Sequence, residues 1–354
     1  MICKSPLFRV DCEKQPGIVY HLEHIPGFMR VNGGILGSGA QFTSAGVKLT
    51  DLTPLPCGQC ISCRLNYGRS WAVRMMCEAE YHEFNYFVTL TYDDMFLPRS
   101  LCYDLNTNSL KDTTLQPRDL QLFMKRLRAR CLDEYGVDGV KFYACGEYGE
   151  LLDRPHYHLC LFGMPDLSDR FEFLKRNGSV VHYTCDLISD AWRDPRSDVS
   201  IGFHSICDFN YETAAYTGRY MTKKLKGLPF KLLHELDPDL IAAAGGSIRY
   251  QPFARMSRRP GLGYDYFREH SFDILKTDSI PYQKDHKCFL AKSPRYFDKL
   301  FDDILPGIND SNKELRKKLG NARFIGLDNH EIMRIHNNSA TVAQINDNRR
   351  KLLS

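Results

Sequence analysis

The spacing of hydrophobic and polar positions predicts two amphipathic helices in the first half of the chain. From Cys63 to about His82, the residues Trp71, Met75 and Ala79 fall on one helical stripe. A second helix is predicted up to Gly136, with Pro117 in its first turn. The apolar face of the second helix consists of Leu120, Phe123, Met124, Leu127 and Cys131.

Three segments rich in β-branched and aromatic residues predict strands. The first is NYFVTLTYDD, which starts at Asn85; the others are VKFYACGE from Val140 and HYHLCLFG from His156. The turn sequence YGELLDRP separates the last two, so we expect an antiparallel hairpin. Antiparallel pairing places Glu147, at the end of one strand, opposite the histidines at the start of the other.

A third helix is predicted for NYETAAYTGRYMTKKLKGLP, with Asn210 as its N-cap. Three lysines suit the negative end of its dipole, and Gly227 and Pro229 end it. Tyr216 and Tyr220 are four positions apart, so they share one face of the helix at about 6 Å.

The remaining segments show weaker patterns. Residues 1–56 are rich in turn formers and predict an irregular arm with short strands. Residues 245–270 look like a loop, and the segment from about 286 to the end predicts a polar, helical tail. We therefore expect three regions, 1–56, 57–285 and 286–354.

Composition sets broad limits. The 354 residues are 43% hydrophobic and 25% charged, which is typical of a soluble globular protein. The net charge is only +4, so affinity for polyanions has to come from local clusters of charge. No signal-peptide pattern and no run of 18 apolar residues is visible, and we expect a cytosolic protein with its 13 cysteines reduced or bound to metal.

The segment RPHYHLCLFG holds the first candidate chemistry. In a strand, His156 and His158 point to the same side and Tyr157 to the other. Two histidines of one strand are also compatible with simple packing in a core. Together with Glu147, however, they would form a compact site with open positions, which suits Mg²⁺ or Mn²⁺ better than structural zinc.

The two tyrosines are the second candidate. They are compatible with interfacial aromatics on an amphipathic helix. However, small residues (Ala214, Ala215 and Gly218) surround them, and a cation follows each tyrosine by three positions, Arg219 and Lys223. A phenol with a pKa near 10 needs such a cation, and a metal ion on the phosphate, to attack a phosphodiester.

In this order, the motifs FVTLTYDD, GEYGELLDRPHYHLCLFG and YTGRYMTKK resemble those of HUH endonucleases of the rolling-circle replication type. In detail the chain is similar to replication initiators of the Microviridae, especially the gokushovirus branch. The segments PCGQCISCR and MSRRPGLGYDYF also resemble parts of those proteins. The resemblance extends from about Cys57 to Tyr266 and implies an α+β fold, with a central antiparallel β-sheet flanked by helices.

The resemblance also implies roles for individual residues. Glu147, His156 and His158 would bind Mg²⁺ or Mn²⁺, and Tyr216 and Tyr220 would be paired nucleophiles. Lys223 would be the assisting lysine of a Tyr–x–x–Lys pattern. At the corresponding position after the first tyrosine, this chain has Arg219 where relatives can carry lysine, which leaves the order of the two tyrosines open.

The implied activity is nicking and rejoining of single-stranded DNA at a phage origin, through a 5′-phosphotyrosine, to start and end rolling-circle replication. Host helicase and polymerase are the expected partners in the cytoplasm of a bacterial host, since no nucleotide-binding P-loop is visible. Two alternatives stay open. One is an HUH transposase or plasmid replicase, and the other is a non-catalytic DNA-binding protein with a structural metal.

DNA contacts are expected from clustered cations, although any one of them is equally compatible with a solvated face. The candidates are Arg126, Arg128, Arg130, Arg219, Lys224, Lys226, Arg255, Arg258 and Arg259, the last three beside Tyr264 and Tyr266.

The segment CGQCISC has the spacing of metal ligands. Cys57, Cys60 and Cys63 would need Cys77 or another residue as the fourth ligand of a structural zinc ion. Three reduced thiols at the start of a helix are the alternative interpretation.

Overall fold

The computed structural model describes the backbone of residues 7–12, 15–21 and 52–54, and residues 55, 56, 58, 60–194, 199–220, 237–284 and 287–316, with the side chains of 61 and 220 excepted. The chain divides into two compact units, residues 1–66 with 295–351, and residues 67–294 with 352–354. The elements follow in the order β1 (Leu7–Cys12), β2 (Gln15–His21), β3 (Leu52–Leu55), α1 (Ile61–Ala79), β4 (Asn85–Thr91), β5 (Arg99–Asp104), β6 (Ser109–Thr113), α2 (Pro117–Tyr135), β7 (Lys141–Tyr148), β8 (Pro155–Phe162), β9 (Phe171–Asn177), β10 (Val180–Cys185), α3 (Asp186–Ala191), β11 (His204–Asp208), α4 (Tyr211–Tyr220), α5 (Pro238–Ala243), β12 (Phe253–Met256), α6 (Tyr264–Thr277), β13 (Ser279–Lys284), β14 (Lys287–Lys292) and α7 (Arg295–Ile304).

The first unit contains a three-stranded antiparallel sheet in the order β2-β1-β3. Helix α7 belongs to the same unit and buries Phe297 and Phe301. Arg316 forms an ion pair with Asp298 of α7 at 2.7 Å. The predicted short strands and the helical character after 294 are therefore present. The rest of the arm and residues 317–354 lie outside the described part of the chain.

The second unit is built on a seven-stranded sheet in the order β12-β7-β8-β4-β11-β10-β9. Each neighbouring pair runs antiparallel. Strands β7 and β8 form the predicted hairpin, and β4 lies on the other side of β8. The prediction of an α+β fold with a central antiparallel sheet flanked by helices is confirmed.

The two faces of this sheet carry separate cores. On one face, Tyr157, Leu159 and Leu161 of β8 belong to a cluster that includes apolar residues of α2 and α3. On the other face, Cys160 and Phe162 belong to a cluster with residues of α1 and α4. Since neighbouring residues of a strand point to opposite faces, the alternation along β8 directs its histidines toward the face covered by α1 and α4.

Helix α2 matches its predicted signals. Pro117 lies in its first turn, and Gly136 closes it in the left-handed conformation with φ 68°. The five residues predicted for its apolar face, listed above, are its buried residues.

The second half of the chain differs from the prediction in two places. Part of the predicted loop 245–270 forms β12 and the start of α6, which buries Tyr266 and Phe267. The Gly-rich composition before Tyr264 obscures the start of this helix, because its N-cap is Gly263 rather than a side-chain cap. Strand β14 pairs with β13 from Ser279↔Lys292 to Lys284↔Lys287, so a boundary at 285 would divide a hairpin.

Within the described ranges, no helix has both the length and the apolar character needed to cross a membrane.

Candidate metal centre and tyrosine site

The hairpin register brings the predicted carboxylate and imidazoles together. Glu147 of β7 pairs directly with His156 of β8, and His158 pairs with Cys145, two positions back on β7. Glu147 Oε1 lies 2.9 Å from Nε2 of His156 and 3.3 Å from Nε2 of His158. The predicted convergence of these three side chains is present.

The three side chains fit a divalent cation. Their ligand atoms all lie within 4.8 Å of one another, and this is the only such group of histidine, cysteine and acidic residues in the described part of the chain. Neighbouring ligands about 2.1 Å from an octahedral ion are about 3 Å apart, which matches the observed separations. Glu147 and His158 are buried, while His156 is partly exposed, so a substrate could approach from the side of His156.

The outer nitrogens of the two rings are held by neighbouring groups. Nδ1 of His156 lies 3.1 Å from the carbonyl oxygen of Arg154, and Nδ1 of His158 lies 3.0 Å from Oγ1 of Thr89. A carbonyl can only accept, so Nδ1 of His156 carries the proton, and a neutral ring then directs the lone pair of Nε2 at Glu147. Facing lone pairs at 2.9 Å repel unless a proton or a metal ion lies between them.

The electrostatics of Glu147 favour its charged form. Burial by itself raises the pKa of this carboxyl, but hydrogen bonds from His156 and His158 outweigh burial and lower the pKa to about 2. A carboxylate ionised at neutral pH is the form that binds a cation.

Helix α4 places one predicted tyrosine at the same site. The hydroxyl of Tyr216 lies 3.3 Å from Nε2 of His158, and the two rings meet edge to face with centroids 5.0 Å apart. Phe87 of β4 stacks on His158 with an interplanar angle of 12° and contacts the Tyr216 ring at its edge. The tyrosine and histidine rings are therefore fixed against each other.

The start of α4 is capped as predicted. Oδ1 of Asn210 accepts from the N–H of Thr213 at 3.0 Å, and Oγ1 of Thr213 accepts from the N–H of Asn210 at 2.9 Å. The helix includes position 220, so its backbone brings Tyr216 and Tyr220 onto one face, one turn apart. The side chain of Tyr220 lies outside the described residues.

A close contact between two helices sets the position of α4. A Cβ atom added at Gly218 would lie 2.7 Å from the carbonyl oxygen of Gly68 and 3.4 Å from Cβ of Trp71. A Cβ at Gly68 would meet Cγ of Arg219 at 3.3 Å. The small residue Gly218 therefore has a specific role beyond leaving the tyrosine rings uncrowded: it lets α4 approach α1.

Tyr157, between the two histidines, anchors β8 from the opposite face. Its hydroxyl donates to the carbonyl of Gln116 at 2.9 Å and lies 2.9 Å from the hydroxyl of Tyr92. The Tyr92 hydroxyl donates to Asp119 of α2 at 2.7 Å. The alternation His–Tyr–His thus gives two ligand candidates on one face and a buried anchor on the other.

The turn between β7 and β8 is held by two arginines. Arg154 donates to the carbonyl of Tyr92 at 2.7 Å and forms an ion pair with Asp94. Arg249 is buried and lies 2.8 Å from Asp104 and 2.9 Å from Asp153. Its guanidinium also lies over the ring of Tyr148, next to Glu147, at 3.4 Å from the centroid. These contacts restrict the turn that connects Glu147 with His156.

Several predicted DNA contacts are engaged inside the protein. Arg126 donates to the carbonyls of Ala191 and Arg193, and Arg128 donates to the carbonyl of Val140 at 2.9 Å. Arg130 pairs with Glu134 and Asp190. These contacts favour a structural role for the three arginines of α2, and their contact with DNA stays a prediction.

The other basic candidates differ in accessibility. Arg255, Arg258 and Arg259 are exposed, as a DNA-contacting cluster requires. Arg219 donates to the carbonyl of Ala215 at 3.0 Å and packs against α1. Tyr266 is buried, so it is not available to stack on a base. Lys223, Lys224 and Lys226 lie outside the described residues.

The cysteine candidates do not form a group where the structure describes them. Cys63 lies near the start of α1 and Cys77 near its end, and both are buried. Among the described cysteines, Cys60, Cys63 and Cys77 do not bring three ligand atoms together. Burial raises the pKa of the Cys77 thiol, which keeps it protonated. Cys57 lies outside the described residues, so a zinc site that includes it stays a prediction.

Sequence reasoning missed the residues that orient the ligands. Thr89 pairs with His158 across β4 and β8, strands that are separated by 63 residues. Alternation along NYFVTLT puts Phe87 and Thr89 on one face, but only the pairing of β4 with β8 shows that this face meets the histidines. Arg249 has no local signal either, since its partners belong to three distant segments.

The geometry defines an α+β protein with a candidate metal centre and a tyrosine hydroxyl beside it. Residues 85–225, from β4 to beyond α4, match a family model whose description is Replication-associated protein ORF2. The chain is 34% identical over 246 residues to the replication-associated protein ORF2 of Spiroplasma virus 4, covering 69% of this chain and 67% of that protein.

Two further relatives carry similar descriptions. The chain is 34% identical over 173 residues to the replication-associated protein VP4 of Bdellovibrio phage phiMH2K, or 48% of each chain. It is 27% identical over 273 residues to the replication-associated protein ORF4 of Chlamydia phage 1, covering 75% of this chain and 59% of that protein. No solved structure matches significantly. The chain belongs to the family of phage replication-associated proteins found in the Microviridae, of the gokushovirus type, which confirms the resemblance of its motifs.

Proposed function

We propose that this protein is a replication initiator that nicks and rejoins single-stranded DNA at its phage origin through a tyrosine–DNA intermediate. The observation that carries the proposal is the 3.3 Å separation between the Tyr216 hydroxyl and Nε2 of His158, itself 3.3 Å from Glu147. A nucleophile and a cation site meet there, as phosphodiester cleavage requires. Membership in a phage family favours an origin over a transposon end.

Glu147, His156 and His158 would hold Mg²⁺ or Mn²⁺, and the ion would polarise the scissile phosphate and stabilise charge in the transition state. The chain's own residues prepare this site before DNA binds. Thr89 and the Arg154 carbonyl orient the two imidazoles, and hydrogen bonds keep Glu147 ionised. The site therefore needs little rearrangement to receive a phosphate.

The covalent step exchanges one phosphoester for another. The tyrosine hydroxyl loses its proton, and its oxygen forms a bond to phosphorus. The bond from phosphorus to the 3′ oxygen breaks, and that oxygen takes up a proton and leaves as a 3′-hydroxyl. The 5′ end stays on the tyrosine. Because the number of phosphoester bonds does not change, the released hydroxyl can reverse the reaction and rejoin the strand.

Tyr216 and Tyr220 would act as a pair, with Lys223 assisting. Since both lie on one face of α4, one turn apart, each can reach the same phosphate position in turn. One tyrosine would start a round of replication, and the other would cleave the regenerated origin and allow the circle to close. Host helicase and polymerase would extend the free 3′-hydroxyl.

The test is incubation of the protein with a single-stranded oligonucleotide of its phage origin and Mn²⁺, followed by denaturing electrophoresis. We expect a protein band shifted by covalently attached DNA. Tyr216→Phe combined with Tyr220→Phe should abolish the band, while Tyr183→Phe on β10 serves as a matched control. A labelled adduct in the double variant would refute the assignment of the nucleophiles.

A separate measurement tests the metal site without activity. Titration of the protein with Mn²⁺, followed by electron paramagnetic resonance, should show a tight site that Glu147→Gln removes. Binding of origin DNA without an adduct, under any divalent ion, would instead support a non-catalytic DNA-binding protein.

A further inference from the structure

The hairpin formed by β13 and β14, which we call the ribbon, is a second surface with the chemistry of single-stranded DNA binding. Its strands, SIPYQK and KCFLAK, contain lysines at 284, 287 and 292 and no acidic residue. Much of β14 is exposed, including Phe289 at 42% and Leu290 at 72%. Basic and aromatic side chains on one short element are the combination that holds unpaired nucleotides.

A run of near-parallel rings connects this ribbon to α4. Tyr211, the first residue of α4, stacks on Tyr282 with centroids 4.6 Å apart and an interplanar angle of 22°. Tyr282 in turn stacks on Phe289 across the ribbon, at 5.8 Å and 28°. Phe289 is the exposed end of this run, so a base stacked on it would extend an existing aromatic series.

The charges on the ribbon are arranged as if for an anion. Lys284 and Lys287 lie directly opposite each other in the register, a placement that is unfavourable for two like charges. Lys284 is neutralised by Glu212 of α4 at 2.7 Å and lies over the Tyr211 ring. Lys287 is exposed beside that pair. A phosphate next to Lys287 would relieve the repulsion.

The ribbon also lies close to the reacting groups. Tyr211 and Glu212, which it contacts, are on the same helix as Tyr216. Five residues of helix separate Tyr211 from Tyr216, about 7.5 Å along the axis. DNA that reached the tyrosine site could therefore continue over the ribbon.

We propose that the ribbon binds the single-stranded DNA next to the cleavage position, with Phe289 stacking on a base and Lys287 contacting a phosphate. This inference rests on the proposed function, since it names a second contact surface for the same DNA.

The test measures binding separately from cleavage. The probe is a fluorescein-labelled 30-residue oligothymidine, and fluorescence anisotropy of the full chain is recorded without divalent ions over a range of salt concentrations. Phe289→Ala should raise Kd about 5- to 150-fold, the range found for loss of one base–aromatic stack. Lys287→Ala should lower the slope of log affinity against log salt by about 0.7, as loss of one phosphate contact does for single strands.

Conservative and remote variants serve as controls. Phe289→Tyr keeps a ring and Lys287→Arg keeps a charge, so both should bind like the wild type. Phe173→Ala and Lys175→Ala change the same residue types on β9, at the opposite edge of the sheet, and should leave binding unchanged. Circular dichroism at increasing temperature confirms that each variant is folded.

The outcomes separate the two proposals. If the wild type forms the origin adduct but Phe289→Ala and Lys287→Ala bind oligothymidine normally, the ribbon inference is wrong and the proposed function stands. If the wild type forms no adduct while both variants show the expected losses, the ribbon binds DNA and the proposed function fails.

Discussion

Replacing Gly218 by alanine tests how closely α4, and with it Tyr216, depends on contact with α1. The added methyl would lie 2.7 Å from the carbonyl oxygen of Gly68, a backbone atom that cannot rotate away. Carbon and oxygen normally stay more than 3 Å apart, so α4 has to move by about half an ångström. The hydroxyl of Tyr216 would move with it, relative to His158.

Two effects oppose each other in this variant. Alanine in place of glycine inside a helix contributes about 1 kcal/mol of stability. Overpacking a closely packed contact costs about 1–3 kcal/mol. Because the contact is with rigid backbone, we expect the upper part of that range. The free energy of unfolding should fall by about 1–2 kcal/mol, which corresponds to a decrease in Tm of about 2–8 °C for a domain of this size.

Gly68→Ala is the matched comparison from the other side of the same contact. Its methyl would approach Arg219 at 3.3–3.4 Å, and the nearest atom belongs to a flexible side chain. Helix propensity then roughly balances a small strain, and stability should stay close to that of the wild type. The two variants make the same chemical change, so their difference reports the contact itself.

Thermal unfolding followed by circular dichroism and the rate of adduct formation with an origin oligonucleotide are the two assays. A displacement approaching 1 Å can reduce a rate by about 100-fold, so Gly218→Ala should slow adduct formation by at least several-fold, while Gly68→Ala should not. Unchanged stability and rate in Gly218→Ala would refute the close helix contact.

Three further variants test other parts of the fold. Burial lowers the pKa of His204 from 6.5 to about 4; the unfolded chain therefore binds a proton that the folded chain does not between these pH values, and stability should fall by about 3 kcal/mol as the pH falls from 6.5 to 4. Urea unfolding at several pH values should show this loss in the wild type but not in His204→Gln. Arg249→Met should destabilise by about 3–5 kcal/mol, since Asp104 stays buried without its partner, and adding Asp104→Asn should recover part of the loss in the same urea assay. Asn210→Ala should cost about 0.5–2 kcal/mol through loss of the N-cap of α4, and Asn210→Ser should keep most of the thermal stability.

Local sequence determined the elements that carry the candidate chemistry. Alternation along PHYHLCLF and the turn before it were enough to place His156, His158 and Glu147 together, because a hairpin joins neighbouring segments and its register follows from a short turn. Helical spacing likewise placed Tyr216 and Tyr220 on one face, and the cap at Asn210 and the end of α2 at Gly136 followed from residue type alone.

The tertiary structure decided which surfaces meet. Thr89 reaches His158 because β4 pairs with β8, and Tyr216 reaches it because two glycines let α4 pack against α1. It also showed that the arginines of α2 are engaged inside the protein and that α6 and the ribbon occupy segments where loop and tail were expected. These contacts join residues far apart in the chain, and their energies depend on packing and burial that no local pattern records.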